Sequence, residues 1–249
     1  MALHGSGPIW LSQIQAEFGG PNYLMSSYYR GAGYVTNGTG NQGVPAGGTI
    51  WFSQFYNTYK TFAGSYDRSS NISSTTVTVP PHSWLRMRVW GAGGGGATVD
   101  TNGSAGGLSR VSGHLTGSGG KGGISYNGGR TGGAGGDGSG GNHTNSGGGD
   151  GATAVIADGT GGRGGNGASG GAGGAGSRAT TKAGSGGSPG GGGGGHGTSG
   201  GGGGGGYSRS EYGADNRTLQ FTVTVGNGGA GAGLGGNGAD GRVLIEWGV

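Results

Sequence analysis

The sequence contains no cysteine, which excludes disulfide bonds and thiolate metal sites. Proline is scarce, at 6 of 249 residues, whereas collagen needs at least about 15–20% proline or hydroxyproline besides its strict glycine repeat. No run of about 20 consecutive apolar residues is present, so we expect no transmembrane helix and no membrane insertion. Residues 1–15 lack a basic start followed by an apolar stretch, and we therefore expect no secretory signal.

Charged residues are also few, at 10% of the sequence, and they are scattered. The formal net charge is +4, and the nearest approach to a basic cluster is the pair Arg86 and Arg88. A nucleic-acid interface needs a dense basic patch, because its affinity comes from neutralising several phosphates together. We therefore expect no nucleic-acid partner.

Glycine is the residue in excess, with 78 of 249 positions against an average usage of about 7%. Residues 1–90 contain 12 of these glycines and residues 91–249 contain the other 66. The chain therefore has an ordinary N-terminal part and a glycine-dominated body. We predict two domains, an N-terminal attachment unit at residues 1–61 and a glycine-rich domain at residues 62–249.

Several short segments that flank the glycine runs have the composition of β-strands. Residues 84–90 alternate, with Leu85, Met87 and Val89 on one face and two arginines on the other, and this period of two is typical of a half-buried strand. Further candidate strands are residues 75–79, 108–115, 219–225 and 243–247. We predict a mainly β protein whose body is a small antiparallel β-sandwich with very long glycine-rich insertions.

The glycine runs allow two interpretations, a flexible Gly/Ser linker or packed helices of the polyproline II type. Glycine recurs at every third position from Gly161 to Gly176 and from Gly129 to Gly141, and a polyproline II helix has three residues per turn. Ordering this backbone costs about 1–2 kcal/mol per residue, which inter-helix hydrogen bonds offset only when many helices pack together. The period favours a bundle of such polyglycine helices.

Short polar clusters interrupt the glycine runs and are typical of chain reversals. Binding commonly resides in loops on a rigid scaffold, and aromatic and arginine side chains are the usual anchors. We therefore predict receptor-contact candidates among these clusters: Tyr126, Asn142, His143, Asn145, Arg178, Lys182, His196, Tyr207 and Tyr212. The alternative is that these residues only terminate helices and keep the chain in solution.

The N-terminal part contains a repeat, Ile-Trp-Leu-Ser-Gln-Ile at 9–14 and Ile-Trp-Phe-Ser-Gln-Phe at 50–55. Each copy is interpreted as a short strand entering a helix, with Ser12 and Gln15 forming a capping box in the first and Ser53 capping the second. We predict a small α+β unit that is too short to bury much surface alone and docks onto a partner. The candidate attachment residues are Trp10, Leu11, Ile14, Phe18, Tyr28, Tyr29, Trp51, Phe52 and Phe55.

The sequence offers no constellation for catalysis. The five histidines are dispersed and none has a carboxylate at a supporting spacing, so we expect no enzyme and no cofactor. Residues 132–137 and 235–240 match the first six positions of a calcium-binding nonapeptide, but Ser139 and Arg242 replace the large apolar residue that the motif requires. We expect no metal site.

Two parts of the sequence resemble proteins of bacteriophage tails. Residues 7–20, 27–33, 44–45 and 50–55 look like the opening segment of tail proteins from tailed bacteriophages. Residues 79–81, 88–96, 221–226 and 240–247 look like the glycine-rich domain at the end of phage tail and fibre proteins. The body is also similar in kind to the polyglycine-helix sandwich of tail-fibre tip adhesins, which bind host receptors through loops between the glycine helices.

The resemblance implies a virion protein at the tip of a tail or tail fibre, synthesised in the host cytoplasm. Its implied partners are other phage tail or baseplate proteins and a protein or glycan receptor on the host surface. The implied assembly is a homotrimer, or a single copy on a trimeric fibre. Two alternatives remain: a purely structural tail-tip or baseplate component, and binding to ice or crystal surfaces by a flat glycine bundle.

Overall fold

The computed structural model describes residues 2–21, 23–125, 127 and 129–249. Within them the N-terminal part holds helix α1 (Leu11–Phe18) and three short 3₁₀ helices, Met25–Tyr28, Thr39–Asn41 and Phe52–Phe55. Ten strands follow: β1 (Gly64–Arg68), β2 (Ile72–Val79), β3 (Trp84–Trp90), β4 (Ser109–Val111), β5 (Leu115–Gly117), β6 (Gly138–Ser139), β7 (Thr144–Ser146), β8 (Tyr207–Tyr212), β9 (Leu219–Val225) and β10 (Arg242–Gly248).

The strands form two five-stranded antiparallel sheets. The first has the order β1-β10-β3-β8-β7, and the second has the order β2-β9-β4-β5-β6. Most neighbours in these sheets are far apart in sequence, as in the pairing of β2 with β9, where Val77 lies opposite Phe221. The prediction of a mainly β protein with an antiparallel sandwich made from distant strands is confirmed.

The two sheets enclose one apolar core, to which the inward-facing residues of five central strands and β2 contribute. In β3 the predicted alternation is confirmed, since Leu85, Met87 and Val89 are buried. The rest of this core comes from the neighbouring strands: Val77, Val79, Val111, Leu115, Phe221, Val223, Val225, Val243 and Ile245. Burial of these side chains supplies the main driving force for the sandwich.

Two predicted segments have a different structure. Residues 108–115 are not one strand, because the chain reverses at Gly113 (φ +77°) between β4 and β5. Residues 207–212 are not a reversal but strand β8, which pairs with β3. The inward positions of β8 include Ser208 and Ser210, which are fully buried, and small polar side chains give no hydrophobic alternation that sequence analysis could detect.

The N-terminal unit has its own core, formed by Leu3, Ile9, Ile14, Phe18, Tyr28, Val35, Val44 and Phe55. The two copies of the repeat begin their helices with the same N-terminal hydrogen bond, but the predicted serine caps are wrong. The backbone N–H of Trp10 donates to Gln13 Oε1 at 2.8 Å, and that of Trp51 donates to Gln54 Oε1 at 2.6 Å. The tryptophans therefore occupy the N-cap positions, and Ser12 lies inside α1.

Helix α1 ends at a glycine, and no strand precedes it among the described residues. Gly19 closes the helix with φ +79° and donates its N–H to the Gln15 carbonyl oxygen, a conformation that glycine adopts readily. Trp10 is extended, with φ −107° and ψ 150°, yet the described residues before β1 form only an isolated bridge between Arg30 and Val35. The predicted strands of this unit are therefore absent from that part of the chain.

The residues between the strands are ordered by hydrogen bonds from one glycine segment to another. Segment 200–206 is the clearest case, because its N–H groups donate in turn to three different segments. Gly200 and Gly203 donate to 121–124, Gly201 and Gly204 donate to 149–152, and Gly202 and Gly205 donate to 190–193, all at 2.8–3.1 Å. The partner changes at each residue and returns after three.

The carbonyl groups of segment 200–206 follow the same rule toward three further segments. They accept from residues 91–97, 133–136 and 165–168, so that six neighbours surround this one segment. A Cβ added to Gly202 would lie 2.2 Å from the Gly94 carbonyl oxygen, and one added to Gly204 would lie 2.0 Å from that of Asn166. Residues other than glycine cannot occupy these positions without moving the neighbouring backbone.

Asparagine and aspartate side chains complete the hydrogen bonds at the edge of the glycine segments. Gly228 N–H donates to Asp240 Oδ1 at 2.7 Å, and Gly231 N–H donates to Asn237 Oδ1 at 2.9 Å. Asp150 and Asn166 accept from Gly135 and Gly173 in the same way. The acidic residue of the calcium-like stretch 235–240 therefore serves as a backbone acceptor.

Candidate functional site

The glycine segments run away from the sandwich, reverse and return, and their reversals lie together. His196 N–H donates to Ala97 O, Gly197 N–H donates to Ser177 O, and Ala183 N–H donates to Leu234 O, each at 2.9 Å. We call this end of the molecule the tip and define it as residues 97–102, 153–160, 177–183, 196–200 and 232–234. Hydrogen bonds join four of these ranges directly, and range 153–160 adjoins them through Gly161, whose N–H donates to Ser177 O at 3.0 Å.

The tip exposes large apolar side chains. The exposed fraction is 54% for Val155, 62% for Ile156, 45% for Leu234 and 38% for Val99. Chain reversals are usually made by glycine, asparagine, aspartate and serine, so aliphatic side chains are not needed to form them. Exposed apolar residues that form a contiguous patch mark interaction sites; Val155 and Ile156 are neighbours in sequence, and none of the four was among the sequence candidates.

Two of the nine predicted receptor-contact residues, Arg178 and Lys182, are exposed on the tip. Tyr126 lies outside the described residues. His196 also belongs to the tip, but only 8% of it is exposed. A direct contact through its side chain is therefore wrong for this structure, because the neighbouring segments cover the ring. Both ring nitrogens of His196 and the Ser199 hydroxyl are buried without a partner.

Tyr207 and Tyr212 lie at opposite ends of β8 and not on the tip. Tyr207 is 6% exposed and packs on Trp90 with ring centroids 5.0 Å apart, while the Trp90 indole N–H donates to Ser169 O at 3.0 Å. A receptor contact through Tyr207 is therefore wrong, since its ring belongs to the base of the glycine segments. Tyr212 is 38% exposed at the far end of the sandwich.

Asn142, His143 and Asn145 lie in and before β7, beside β8. The Asn142 side chain accepts from Glu211 N–H and donates to Glu211 O, both at 2.9 Å. Asn145 Oδ1 accepts from Gly141 N–H at 2.9 Å and from the Ser208 hydroxyl at 2.6 Å. These amides fix the turn onto the sheet, so they are exposed but already engaged, and they are far from the tip.

The attachment candidates divide into two groups by exposure. Trp10, Trp51 and Phe52 are 66%, 64% and 42% exposed, and Leu11 and Tyr29 are half-buried. The others are at most 1% exposed and form the core of the unit: Ile14, Phe18, Tyr28 and Phe55. A direct partner contact is wrong for these four, because helix packing turns them inward, and only the exposed group remains available to a partner.

The outer face of the first sheet carries a network of ion pairs around Glu211. This carboxylate pairs with Arg209 and, at 2.7 Å, with Arg86 Nε. Hydrogen bonds from Arg209 and then from Arg86 hold the pKa of Glu211 at about 2, below its ordinary value of 4.5. Arg88 pairs with Glu246 at 2.5 Å. Because Glu211 is shared by two arginines, these five side chains carry three positive and two negative charges.

Within the described residues, no helix is long and apolar enough to cross a membrane. The same part of the chain brings together no group of three or more histidine, aspartate or glutamate side chains that could hold a metal ion. A scan against protein-family models gives no match, and searches of curated proteins and of solved structures give no significant match either.

Proposed function

We propose that this chain is a virion protein at the end of a bacteriophage tail or tail fibre, and that its tip binds a receptor on the host surface. The observation that carries the proposal is the exposure of the adjacent residues Val155 and Ile156 at one chain reversal, together with that of Val99 and Leu234 at two others. The assignment to a phage rests on the resemblance to tail proteins of the segments 7–20, 27–33, 44–45, 50–55, 79–81, 88–96, 221–226 and 240–247.

The scaffold in this proposal is a bundle of polyglycine helices of the polyproline II type. Such a helix has three residues per turn and no internal hydrogen bonds, so every N–H and C=O is available to a neighbour. The hydrogen bonds of segment 200–206 have this period and reach six neighbours. The backbone bonds are thus satisfied between segments, as a buried backbone requires.

Rigidity is what makes the tip suitable for recognition. Association requires ordering of the groups that form the contact, and a surface that is already ordered avoids most of that loss. Val155 and Thr160 bond to each other through both backbone N–H groups, at 2.9 and 3.2 Å, which holds Ile156 at the turn between them. Arg178 and Lys182 add exposed positive charge to the tip. The tip therefore combines apolar anchors with a polar surround, as binding surfaces do.

The N-terminal unit would attach the protein to other tail or baseplate proteins. Trp10 and Trp51 are exposed at equivalent positions of the repeat, and tryptophan is enriched among residues that dominate binding energy. In this arrangement the N-terminal unit is fixed to the virion and the tip faces the host. A homotrimer or a single copy on a trimeric fibre both remain compatible with it.

The proposal is tested with the full chain fused to a fluorescent protein and mixed with a panel of bacterial strains. We expect saturable binding to some strains, reduced at least about tenfold by Ile156→Asp and Val155→Asp. The matched control is Leu24→Asp in the N-terminal unit, where a leucine is 48% exposed. All variants should melt at the wild-type temperature, because substitutions of exposed residues change stability by about 0.5 kcal/mol or less.

The second candidate function is a structural component of the tail tip without receptor contact. The exposed tryptophans of the N-terminal unit favour assembly in either case. Binding to no strain, or binding that the tip variants leave unchanged, would support the structural role and contradict the receptor role. In that case Trp10→Ala with Trp51→Ala would still prevent incorporation into virions.

A further inference from the structure

A cleft of about 460 Å³ opens at the end of the sandwich that is remote from the tip. It lies between the ends of the two sheets, and its aromatic lining comes from His114, Tyr212 and Phe221. The His114 ring stands edge-on to both neighbours, with centroids 5.2 Å from Phe221 and 6.3 Å from Tyr212. A ring from the β4–β5 turn, one from the end of β8 and one from β9 thus form one apolar wall.

The opposite side of the cleft is polar but electrically balanced. Arg217 donates from Nε and Nη2 to the two carboxylate oxygens of Asp215, at 3.0 and 2.8 Å. These hydrogen bonds hold the pKa of Asp215 below its ordinary value, so the pair is ionised at neutral pH. Because the charges cancel, the cleft favours a neutral polar ligand over an ion. Gln220 adds an exposed amide to the same lining.

The loop that carries this ion pair is anchored to the sandwich. His82 and Asp215 exchange both backbone hydrogen bonds, each at 2.9 Å. The His82 ring is 1% exposed, and its Nδ1 lies 2.8 Å from Pro80 O. Since a carbonyl oxygen can only accept, Nδ1 carries the proton. The polar groups of the cleft are therefore pre-positioned and do not need a ligand to order them.

A second, smaller cleft of about 180 Å³ adjoins the first and shares Leu85 and Tyr212 with it. Its other walls are Trp84, which is 40% exposed, and the paired side chains of Arg86 and Glu211. The guanidinium of Arg86 lies 5.8 Å from the Trp84 ring centroid. The two clefts therefore form one groove in which an exposed tryptophan and Tyr212 lie beside two ion pairs, the one-to-one pair of Arg217 with Asp215 and the pair of Arg86 with Glu211.

We infer that this groove binds a saccharide, with Tyr212 between two sugar positions. A sugar ring has an apolar C–H face that packs on aromatic rings, and hydroxyl groups that both donate and accept. Carboxylates accept from such hydroxyls and guanidinium groups donate to them, so a neutralised pair suits this ligand better than it suits an ion. The volume lies in the range of small-molecule sites. This inference is independent of the proposed function of the tip.

Saturation-transfer NMR on the full chain tests the inference with methyl β-D-glucopyranoside, methyl β-D-galactopyranoside, N-acetylglucosamine and maltotriose as probes. We expect at least one saccharide to receive saturation, and its Kd by calorimetry to rise at least about tenfold in Tyr212→Ala and in Arg217→Ala. Arg217 is 75% exposed, so its removal should leave folding intact and keep the test valid if Tyr212→Ala does not fold.

Two matched controls separate this groove from other surfaces. Tyr23→Ala removes an 81% exposed tyrosine of the N-terminal unit, and Arg178→Ala removes an exposed arginine of the tip; both should leave the saccharide Kd unchanged. N-acetyl-tryptophanamide serves as a competing aromatic probe. The inference is overturned if no saccharide receives saturation, if only the tryptophan derivative binds, or if Tyr212→Ala and Arg217→Ala bind like the wild type.

Discussion

Gly147 and Gly148 are neighbours in one glycine segment, yet their surroundings differ sharply. A Cβ on Gly148 would lie 2.3 Å from the Gly204 carbonyl oxygen, whereas a Cβ on Gly147 would meet nothing closer than Asp137 Oδ1 at 3.4 Å. Close packing against a neighbouring backbone requires glycine at position 148 but not at position 147. Within one glycine-rich segment, therefore, some glycines are needed for packing and others are not.

The variants Gly147→Ala and Gly148→Ala test this difference through their stability. We expect Gly148→Ala to lower the free energy of unfolding by about 1–3 kcal/mol, as overpacking typically does. Gly147→Ala should be neutral or stabilising by about 0.4–1 kcal/mol, because alanine restricts the unfolded chain. Thermal and urea unfolding measure both. Equal destabilisation by the two variants would contradict close packing of the segments.

Hydrogen exchange distinguishes the ordered bundle from a flexible linker. The amide of Gly203 donates to Lys121 O at 2.8 Å in the middle of six neighbouring segments. We expect its exchange to be protected with a free energy close to that of global unfolding, as for other core amides. Gly213, with no atom within 4 Å of an added Cβ, is the exposed reference. Rapid exchange at both positions would favour the linker.

Asp240 tests whether carboxylates at the edge serve as backbone acceptors. Removal of its side chain leaves the partly buried N–H of Gly228 unpaired, so Asp240→Ala should destabilise the fold by about 1–3 kcal/mol. Asp240→Asn retains an acceptor oxygen and should have a smaller effect. The two melting temperatures, each measured with and without calcium, report this. A calcium-dependent shift in the wild type would show that the carboxylate has another role.

Glu211 predicts how the sandwich responds to acid. Its folded-state pKa of about 2 is lower than its ordinary value of 4.5, so its ion pairs stabilise the folded state above pH 4.5. That contribution is lost as the pH falls through about 2. We expect the ¹³C titration of the Glu211 carboxyl to show this low midpoint, and Arg209→Ala to raise it. Arg178→Ala, which changes a distant arginine, should leave the midpoint unchanged.

The period-two alternation of apolar and polar residues was enough to predict the main strands. Residues 84–90 combine inward aliphatic and outward arginine side chains, and β3 begins and ends at the predicted residues. Strand β8 was missed because its inward side chains include two serines. Hydrophobic patterning detects strands through their apolar face, and a strand whose inward face is filled by serine lacks that signal.

The candidate site was predicted less well, for a related physical reason. Histidine and tyrosine were chosen as anchors by residue type, but His196 and Tyr207 are buried, since the packing of distant segments decides their exposure. Val155 and Ile156 stood in an interruption of the glycine runs and were exposed instead. Two adjacent aliphatic residues in a turn were the signal that could have indicated an exposed apolar site, because a turn does not need such residues.

The six-neighbour environment of segment 200–206 also constrains the order in which the molecule can fold. Its partners include residues 91–97, 121–124, 133–136 and 165–168, all of which leave the ribosome earlier. Until residue 206 has been synthesised, these earlier segments lack the central segment to which they hydrogen-bond. Contacts between residues so distant in sequence slow folding. The glycine-rich segments must therefore fold cooperatively and late, once nearly the whole chain has been synthesised.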